Sequence, residues 1–111
     1  MSREHLGEFE LMVLLALVRL GPGAYGVPIR REIEKRARRT VTVGGLYRTL
    51  DRMESKGYLT SWFSDPSPER GGRSKRYFRI EPLGMAALRE TEQALTAMWE
   101  GIDLRKAPHV S

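Results

Sequence analysis

The alternation of apolar and polar positions along this chain predicts four helices and one β-hairpin. The sharpest pattern covers residues 42–57, read as a helix at about 100° per residue. Its apolar side consists of Val43, Leu46, Leu50, Met53 and Gly57. Its opposite side consists of Gly44, Arg48, Arg52 and Ser55, with Gly45 and Lys56 beside them. This helix therefore has one side that packs and one cationic side that is free to contact a charged partner.

Two glycines occupy the first turn of this predicted helix. Thr42 is a good N-cap, but Gly44 and Gly45 each cost about 1 kcal/mol of helix propensity relative to alanine. Glycines at a helix N-terminus allow a phosphate to approach the backbone N–H groups closely. The alternative is structural, namely that the glycines complete the preceding turn.

Two short strands follow, because side chains alternate between two faces over residues 58–64 and again over residues 74–80. The basic loop between them contains two adjacent glycines, which supply the positive φ angles that turns need. Arg70 and Arg73 flank these glycines, and this favours a contact with phosphates or the minor groove over a purely structural turn. A helix followed by a basic hairpin is what a winged helix presents to DNA.

The first helix is predicted over residues 3–20, before Gly21-Pro22-Gly23, and it is apolar on nearly every side. The residues that encircle it are Phe9, Met12, Val13, Leu14, Leu15, Ala16, Leu17 and Val18. Such a helix has to be covered on every side. We therefore expect one face to pack on the chain's own winged helix and the other on a second copy of the chain.

A second helix is predicted from Tyr25 or Val27 to Arg38, with Pro28 in its first turn. Its inward stripe consists of Ile29, Ile33 and Ala37. The turn over residues 39–41 then leads into the helix that Thr42 caps. Helix, short turn and helix together make the helix-turn-helix arrangement.

The last helix is predicted to begin near Pro82, a residue suited to a first helical position. Its apolar stripe, at three- and four-residue spacing, consists of Leu88, Leu95, Met98, Trp99 and Ile102. A terminal helix after a hairpin has little of its own domain left to pack on, so we expect this stripe to form a homodimer interface with Phe9, Met12 and Val13. Trp99 and Met98 could also line a pocket for a small planar apolar effector, or serve only as packing.

The charge of the chain points to a polyanion. Its 19 Lys and Arg exceed its 14 Asp and Glu, for a formal charge of +5, and the excess is concentrated in residues 30–39 and 70–79. One such cluster alone is commonly just a solvated face, but two clusters beside one candidate recognition helix favour DNA. The alternative is a protein-interaction module whose cationic face docks an acidic protein partner.

Other classes are disfavoured. The chain has no cysteine, which excludes disulfides and thiolate zinc sites, and its longest apolar run, residues 11–18, is too short to span a membrane. Glu8 and Glu10 do not fit the leader of a signal peptide, so a cytoplasmic location is the default. His5 and His109 lie near opposite ends, and no catalytic spacing is recognisable, so we expect no enzymatic activity, no metal and no cofactor.

With these elements placed, the chain resembles the PadR family of bacterial transcriptional regulators. The motifs that support the resemblance are Leu14-Leu15-Ala16-Leu17, Ala24-Tyr25-Gly26, Val43-Gly44-Gly45-Leu46-Tyr47-Arg48-Thr49-Leu50, Met53-Glu54-Ser55-Lys56-Gly57-Tyr58-Leu59 and Gly72-Arg73-Ser74-Lys75-Arg76-Tyr77-Phe78. The resemblance implies a mainly α fold with a small β-hairpin, a winged helix-turn-helix with an additional C-terminal dimerisation helix. Residues 1–81 would form the DNA-binding domain, residues 82–104 the dimerisation helix and residues 105–111 a flexible tail.

The resemblance also implies a homodimeric repressor on a pseudo-palindromic operator, and it leaves open a release by a small ligand. Tyr47 and Arg48 match the family's backbone-contacting positions, and Arg73 and Lys75 match its wing. The full DNA-binding set is Thr42, Gly44, Gly45, Tyr47, Arg48, Arg52, Lys56, Arg70, Gly72, Arg73 and Lys75. Arg48 and Arg52 are the predicted base readers, because a guanidinium can bond both acceptors of guanine. The residues expected to position phosphates are Tyr47, Lys56, Arg70, Arg73 and Lys75.

Overall fold

A computed structural model describes residues 5–65 and 74–106 of the chain. In chain order its elements are helices α1 (Glu8–Leu20), α2 (Gly26–Ala37) and α3 (Val43–Ser55), strands β1 (Leu59–Phe63) and β2 (Arg76–Ile80), and helix α4 (Pro82–Trp99). The predicted fold class, mainly α with a small hairpin in winged helix-turn-helix order, is confirmed. Arg70, Gly72 and Arg73 of the predicted wing lie outside the described residues.

Helix α1 begins later than the sequence pattern predicted. Residues 5–7 are not helical, and Gly7 is the N-cap. The Gly7 N–H donates a hydrogen bond of 2.8 Å to Oε1 of Glu10. This carboxylate therefore closes the first turn of α1 and fixes where the helix starts.

The turn between α2 and α3 is also closed by a carboxylate. Helix α2 ends at Ala37, and its C-cap, Arg38, adopts the left-handed conformation with a φ of 53°. Three residues later the N–H of Val41 donates to Oε2 of Glu34 at 3.0 Å. Helix α3 then begins at the predicted N-cap, because Oγ1 of Thr42 accepts a hydrogen bond from the N–H of Gly45 at 3.0 Å.

The core lies where α1 packs against α2, α3 and β2 and against the first part of α4. Its largest fully buried side chains are Phe78, Leu14, Ile29, Leu46, Leu50, Met53, Leu59 and Val13. Three residues of the predicted packing sides are instead exposed, and one of them, Gly57, follows the end of α3 with a φ of 81°. Val43 borders a surface groove between α2 and α3, and Ala37 lies in the last turn of α2, where it borders an open groove against α1.

The segment before α2 pairs with strand β2 of the hairpin through its backbone. Strands β1 and β2 are antiparallel, with Trp62 opposite Tyr77. Ala24 accepts a hydrogen bond of 2.9 Å from the N–H of Phe78, and Tyr25 forms an isolated bridge with Tyr77. Backbone hydrogen bonds therefore attach the hairpin to the helix-turn-helix.

Helix α4 packs on the rest of the chain along its first half only. Its N-cap, Glu81, makes no capping bond, because its carboxylate accepts a hydrogen bond from Oγ1 of Thr60 at 3.1 Å. Leu88 is buried, whereas every residue from Glu92 to Trp99 is exposed. Among the described helices, none combines the length and the apolar character that a bilayer span requires.

Candidate nucleic-acid interface

The exposed side of α3 presents Gly44, Arg48, Arg52 and Ser55, the residues that the sequence pattern placed there. We call this set the cationic face. Within the described residues, Arg48 forms no hydrogen bond and no ion pair. A Cβ at Gly44 would lie 3.2 Å from Nη1 of Arg48, so the guanidinium lies over the first turn of the helix. Arg48 is therefore a free cation beside the positive end of a helix dipole.

The two glycines of the first turn differ in their surroundings. The N–H of Gly45 is bonded to Thr42, and a Cβ at Gly45 would lie 2.7 Å from Oγ1 of Thr42. The structural explanation therefore applies to Gly45, because a side chain there would collide with the capping hydroxyl of Thr42. Gly44 is exposed and its N–H has no helical partner, so a phosphate could approach it.

Tyr47 lies on the flank of α3 that faces α2. A Cβ at Gly26 would lie 2.2 Å from the Tyr47 hydroxyl oxygen and 2.9 Å from Cζ. Gly26 therefore provides the space in which the Tyr47 ring crosses the start of α2. The same ring tilts against Phe78 of β2 at 6.3 Å between centroids. Tyr47 thus links α3 to α2 and to the hairpin, with its hydroxyl at the first turn of α2.

On the opposite flank, Arg52 and Lys56 both bond a carboxylate of α1. Oε2 of Glu10 lies 3.1 Å from Nε of Arg52 and 3.5 Å from Nζ of Lys56. Burial raises the pKa of Glu10, but the hydrogen bonds from Gly7 and Arg52 and the charges of Lys56 and Arg52 outweigh burial, so the pKa of Glu10 lies below its ordinary value. Glu10 is thus ionised, and it fixes two of the predicted DNA-binding cations.

A second carboxylate joins α3 to the hairpin. Glu54 accepts hydrogen bonds from the N–H and the hydroxyl of Ser61, at 3.1 and 2.7 Å, and from Nη2 of Arg76 at 2.8 Å. Arg76 also pairs with Asp51 at 2.9 Å. The Ser61 hydroxyl bond is the largest cause that lowers the pKa of Glu54, and Arg76 lowers it further against the effect of burial. This network joins α3 to both strands of the hairpin.

The outer face of the hairpin carries cations over aromatic rings. Nζ of Lys75 lies 4.1 Å from the centroid of Tyr25, and the guanidinium of Arg79 lies 5.8 Å from the centroid of Trp62. Between them, Tyr77 contacts both Tyr25 and Trp62. Lys75 was predicted from the sequence, but this aromatic row was not. The alternation that predicted the strands places Trp62 and Tyr77 on one face, and this signal could have identified the pair.

Arg39 is a further cation at this site, and it belongs to the basic cluster of residues 30–39. It lies in the turn before α3, 5.3 Å from the ring centroid of Phe9 and 2.8 Å from the carboxylate of Glu8. Together with Arg48 and Arg52 it lines a cleft of about 340 Å³ beside the start of α3. Three guanidinium groups thus surround one cleft at the edge of the cationic face.

The residues assigned to a dimer interface divide into two groups. Val13 is fully buried in the chain's own core and Leu88 nearly so, and neither offers a surface to a second chain. Phe9 and Met12 are half-buried. The exposed group is Leu95, Met98, Trp99 and Ile102. Since Met98 is 75% and Trp99 is 54% exposed, their own chain does not enclose a pocket around them.

Comparisons with known proteins match most of the chain. The profile of the transcriptional regulator PadR-like family matches residues 14–90. The chain is 31% identical over 104 residues to uncharacterized protein X of Lysinibacillus sphaericus, covering 92% of this chain and 88% of that one. It is 37% identical over 71 residues to the transcriptional regulator Rv3488 of Mycobacterium tuberculosis, covering 64% of this chain and 62% of that one.

Solved structures have the same fold. A PadR family transcription regulator from Clostridium difficile aligns with a TM-score of 0.71 at 24% identity, over 83% of this chain and 91% of that one. A PadR-like transcription factor from Bacteroides fragilis aligns with a TM-score of 0.70 at 25% identity, over 83% and 84%. RosR of H. salinarum aligns with a TM-score of 0.68 at 21% identity, over 95% and 87%. By profile, by relatives and by winged helix fold, the chain belongs to the PadR-like family of DNA-binding transcriptional regulators.

Proposed function

We propose that this chain acts as a homodimeric repressor that binds a pseudo-palindromic operator through α3 and the wing. The observation that supports this most is the cationic face, where Arg48 is unpaired beside the exposed first turn of α3. Such an arginine has both of its Nη groups available for a guanine or a phosphate. Binding near a promoter would then exclude the polymerase. The protein would act in the cytoplasm, beside the chromosome, without catalytic activity.

In this proposal the residues on and around α3 have different roles in DNA binding. Arg48 and Arg52 read bases, while the hydroxyl of Tyr47 and the N–H of Gly44 meet phosphates on the α2 side and at the start of α3. Arg39 adds a phosphate contact from the turn before α3. Arg70, Gly72 and Arg73 contribute from the loop of the wing, beside Lys75. Phosphate contacts set the register of the protein, and base contacts supply its sequence preference.

The proposed dimer uses apolar surface that one chain leaves uncovered. Leu15 and Val18 on α1 are about half exposed, as are Leu95 and Trp99 on α4. Pairing of these surfaces about a twofold axis would place two copies of α3 in successive major grooves, about 34 to 36 Å apart. A small planar apolar effector would then bind at Met98 and Trp99, in a pocket that the second copy completes. Because effector and DNA would each favour one arrangement of the dimer, binding of one would weaken the other.

The first prediction tests the DNA partner. Genomic fragments selected by the full chain should share a pseudo-palindrome, and the affinity for the best fragment should fall by about 10³ to 10⁵ between 50 and 200 mM salt, if six to ten phosphates are contacted. Fluorescence anisotropy on labelled fragments measures this. Arg48→Ala should cost about 1 to 3 kcal/mol on the best site.

Arg105→Ala is the matched control for that change. It removes the same charge from an exposed side chain that follows α4, and it should leave affinity unchanged. A complex that is insensitive to salt would contradict this interface. Capture of an acidic protein with no enrichment of any DNA fragment would show instead that the cationic face docks a protein.

A further inference from the structure

A nearly buried carboxylate on α1 determines the position of a proposed base reader on α3. The side chain of Glu10 is only 9% exposed, and both of its oxygens are bonded. Oε1 accepts the N–H of Gly7, which ties the carboxylate to the start of its own helix. Oε2 then faces α3, where Nε of Arg52 and Nζ of Lys56 share it. Glu10 is thus a rigid acceptor rather than a flexible surface acid.

This arrangement leaves a defined part of Arg52 available. Its Nε donates to Glu10 at 3.1 Å, and its two Nη groups make no hydrogen bond within the described part of the chain. The side chain is 52% exposed, on the flank of the cationic face. The two Nη groups of a guanidinium form a planar fork that matches O6 and N7 of guanine. Arg52 therefore presents this fork while Glu10 holds its Nε in place.

We propose that Glu10 is a specificity-determining positioning residue, which fixes Arg52 so that its Nη fork reads one base pair in each half-site. This inference rests on the proposed function. A fixed arginine loses less conformational freedom when it meets its base than a mobile one does. A mobile arginine can also satisfy its charge on any nearby phosphate, and phosphates contain no sequence information. The contact with Glu10 thus favours base reading over phosphate binding.

The charge of Glu10 acts in the same direction. Arg52, Lys56 and Glu10 together contribute one net positive charge to this flank, and both cations are restrained by the same oxygen. Loss of the carboxylate would remove one negative charge from this flank and strengthen binding to DNA of any sequence. At the same time it would release Arg52 from its fixed position. Affinity for unrelated DNA would therefore rise while discrimination falls, whereas a damaged fold would lower both.

The test uses the full chain with the variant Glu10→Gln. The quantities measured are the dissociation constants for the best selected site, for that site with one base pair changed in each half, and for unrelated DNA. We expect discrimination at the base pair read by Arg52 to fall by about tenfold, within the range of one bidentate contact. Affinity for unrelated DNA should rise severalfold, with a salt dependence steeper by about one phosphate contact.

Two further variants separate positioning from fold and from charge. Glu8→Gln removes the same charge two residues earlier on α1, where the partner is Arg39, and should leave discrimination at that base pair unchanged. Arg52→Lys retains the charge but lacks the fork, so it should lose the same discrimination even if Glu10→Gln does not fold. In an Arg52→Lys background, Glu10→Gln should cause no further loss of discrimination.

The outcomes distinguish this inference from the proposed function. A wild-type chain without sequence preference overturns both. A wild-type chain that discriminates, while Glu10→Gln or Arg52→Lys discriminates equally well at every base pair, overturns the role of Glu10 alone. An equal loss of affinity for all sequences would identify Arg52 as a phosphate contact and would likewise overturn the role of Glu10.

Discussion

Gly26 and Gly45 are glycines because a neighbouring side chain occupies the place of a Cβ. At Gly26 the neighbour is the ring of Tyr47, and at Gly45 it is the hydroxyl of Thr42. Neither residue has a positive φ angle, so backbone freedom is not the reason. The sequence alone offered two explanations for Gly45, a phosphate approach and a structural turn, and distance to the cap favours the structural one. Such close approaches are not visible in a linear pattern.

The second prediction concerns this close approach at Gly26. Gly26→Ala should destabilise the fold by about 1 to 3 kcal/mol, because the added methyl group forces the Tyr47 ring away from α2. Urea denaturation measures the free energy of unfolding. In a Tyr47→Ala background the same change should cost little, since the ring is gone.

Gly44→Ala is the control for that cycle. Its added methyl group would meet only the flexible end of Arg48, so a gain in helix propensity should leave it neutral or slightly stabilising. Additive costs of Gly26→Ala and Tyr47→Ala would contradict the proposed contact.

At the scale of elements, periodicity was sufficient to predict which segments form helices and strands, but not how they contact each other. The bounds of α2, α3, β1 and β2 agree with the predicted ones to within about two residues, because each element buries one regular face. The partners of Arg52 and Arg76 were not predicted. Glu10 precedes Arg52 by 42 residues, and a pair so distant in sequence leaves no periodic trace.

The start of α1 and the exposure of Val43 were missed for a related reason. Both lie at helix ends, where neighbouring elements decide which side chains are covered. For the candidate site, the sequence therefore identified the cationic residues of α3 but neither Glu10, which bonds Arg52 and Lys56, nor Glu54, which joins α3 to the hairpin. Glu10 and Glu54 read as ordinary polar positions until α1 and the hairpin are placed beside α3.

The third prediction uses the link that Glu54 makes between α3 and the hairpin. Because the folded chain lowers the pKa of Glu54, this carboxylate stabilises the fold at pH values above its unfolded pKa, near 4.3. The contribution is lost as the pH falls below that value and through the lower folded pKa. Urea denaturation between pH 7 and pH 3 should show this decline.

Glu54→Gln should lose about 1 to 3 kcal/mol at pH 7, as expected for hydrogen bonds to a charged group, and should show a shallower decline in acid. Glu92→Gln, on the exposed half of α4, is the control and should follow the wild type. The pKa of Glu10 is also lowered, so Glu10 adds to the loss of stability in acid. In Glu54→Gln this loss should therefore become shallower without disappearing. An unchanged acid slope in Glu54→Gln would contradict the network.

At the scale of the whole molecule, α4 is the element whose packing is incomplete. An 18-residue helix is about 27 Å long, and here only its first half contacts the rest of the chain. The second half exposes Leu95, Met98 and Trp99. Contiguous apolar surface of this kind commonly marks an interaction site. This incomplete packing supports the proposed dimer.

The fourth prediction tests that dimer. Leu95→Asp should convert a particle of twice 12.7 kDa into a folded monomer, because an unpaired charge in the interface is costly while the exposed position tolerates it in one chain. Sedimentation equilibrium measures the mass, and circular dichroism checks the fold. DNA affinity should fall sharply, since a single half-site remains.

Phe63→Asp is the matched control, because Phe63 is an exposed apolar residue on β1, which contributes no residue to the proposed interface. Its mass should stay that of the dimer. A wild-type monomer, or a Leu95→Asp monomer that binds the operator as tightly as the wild type, would exclude the dimer as the functional form.

The hydrogen bond between Ala24 and Phe78 also has a consequence for how the chain is made. The hairpin is completed by a segment that leaves the ribosome more than fifty residues before β2 does. Contacts between residues so far apart in the sequence form slowly, because the long segment between them has to be ordered first. A nascent chain that ends at residue 65 thus contains every residue of the helix-turn-helix but lacks Arg76 and Phe78, which hold α3 and Tyr47 in place. The proposed DNA-binding surface is therefore completed only after synthesis has passed β2.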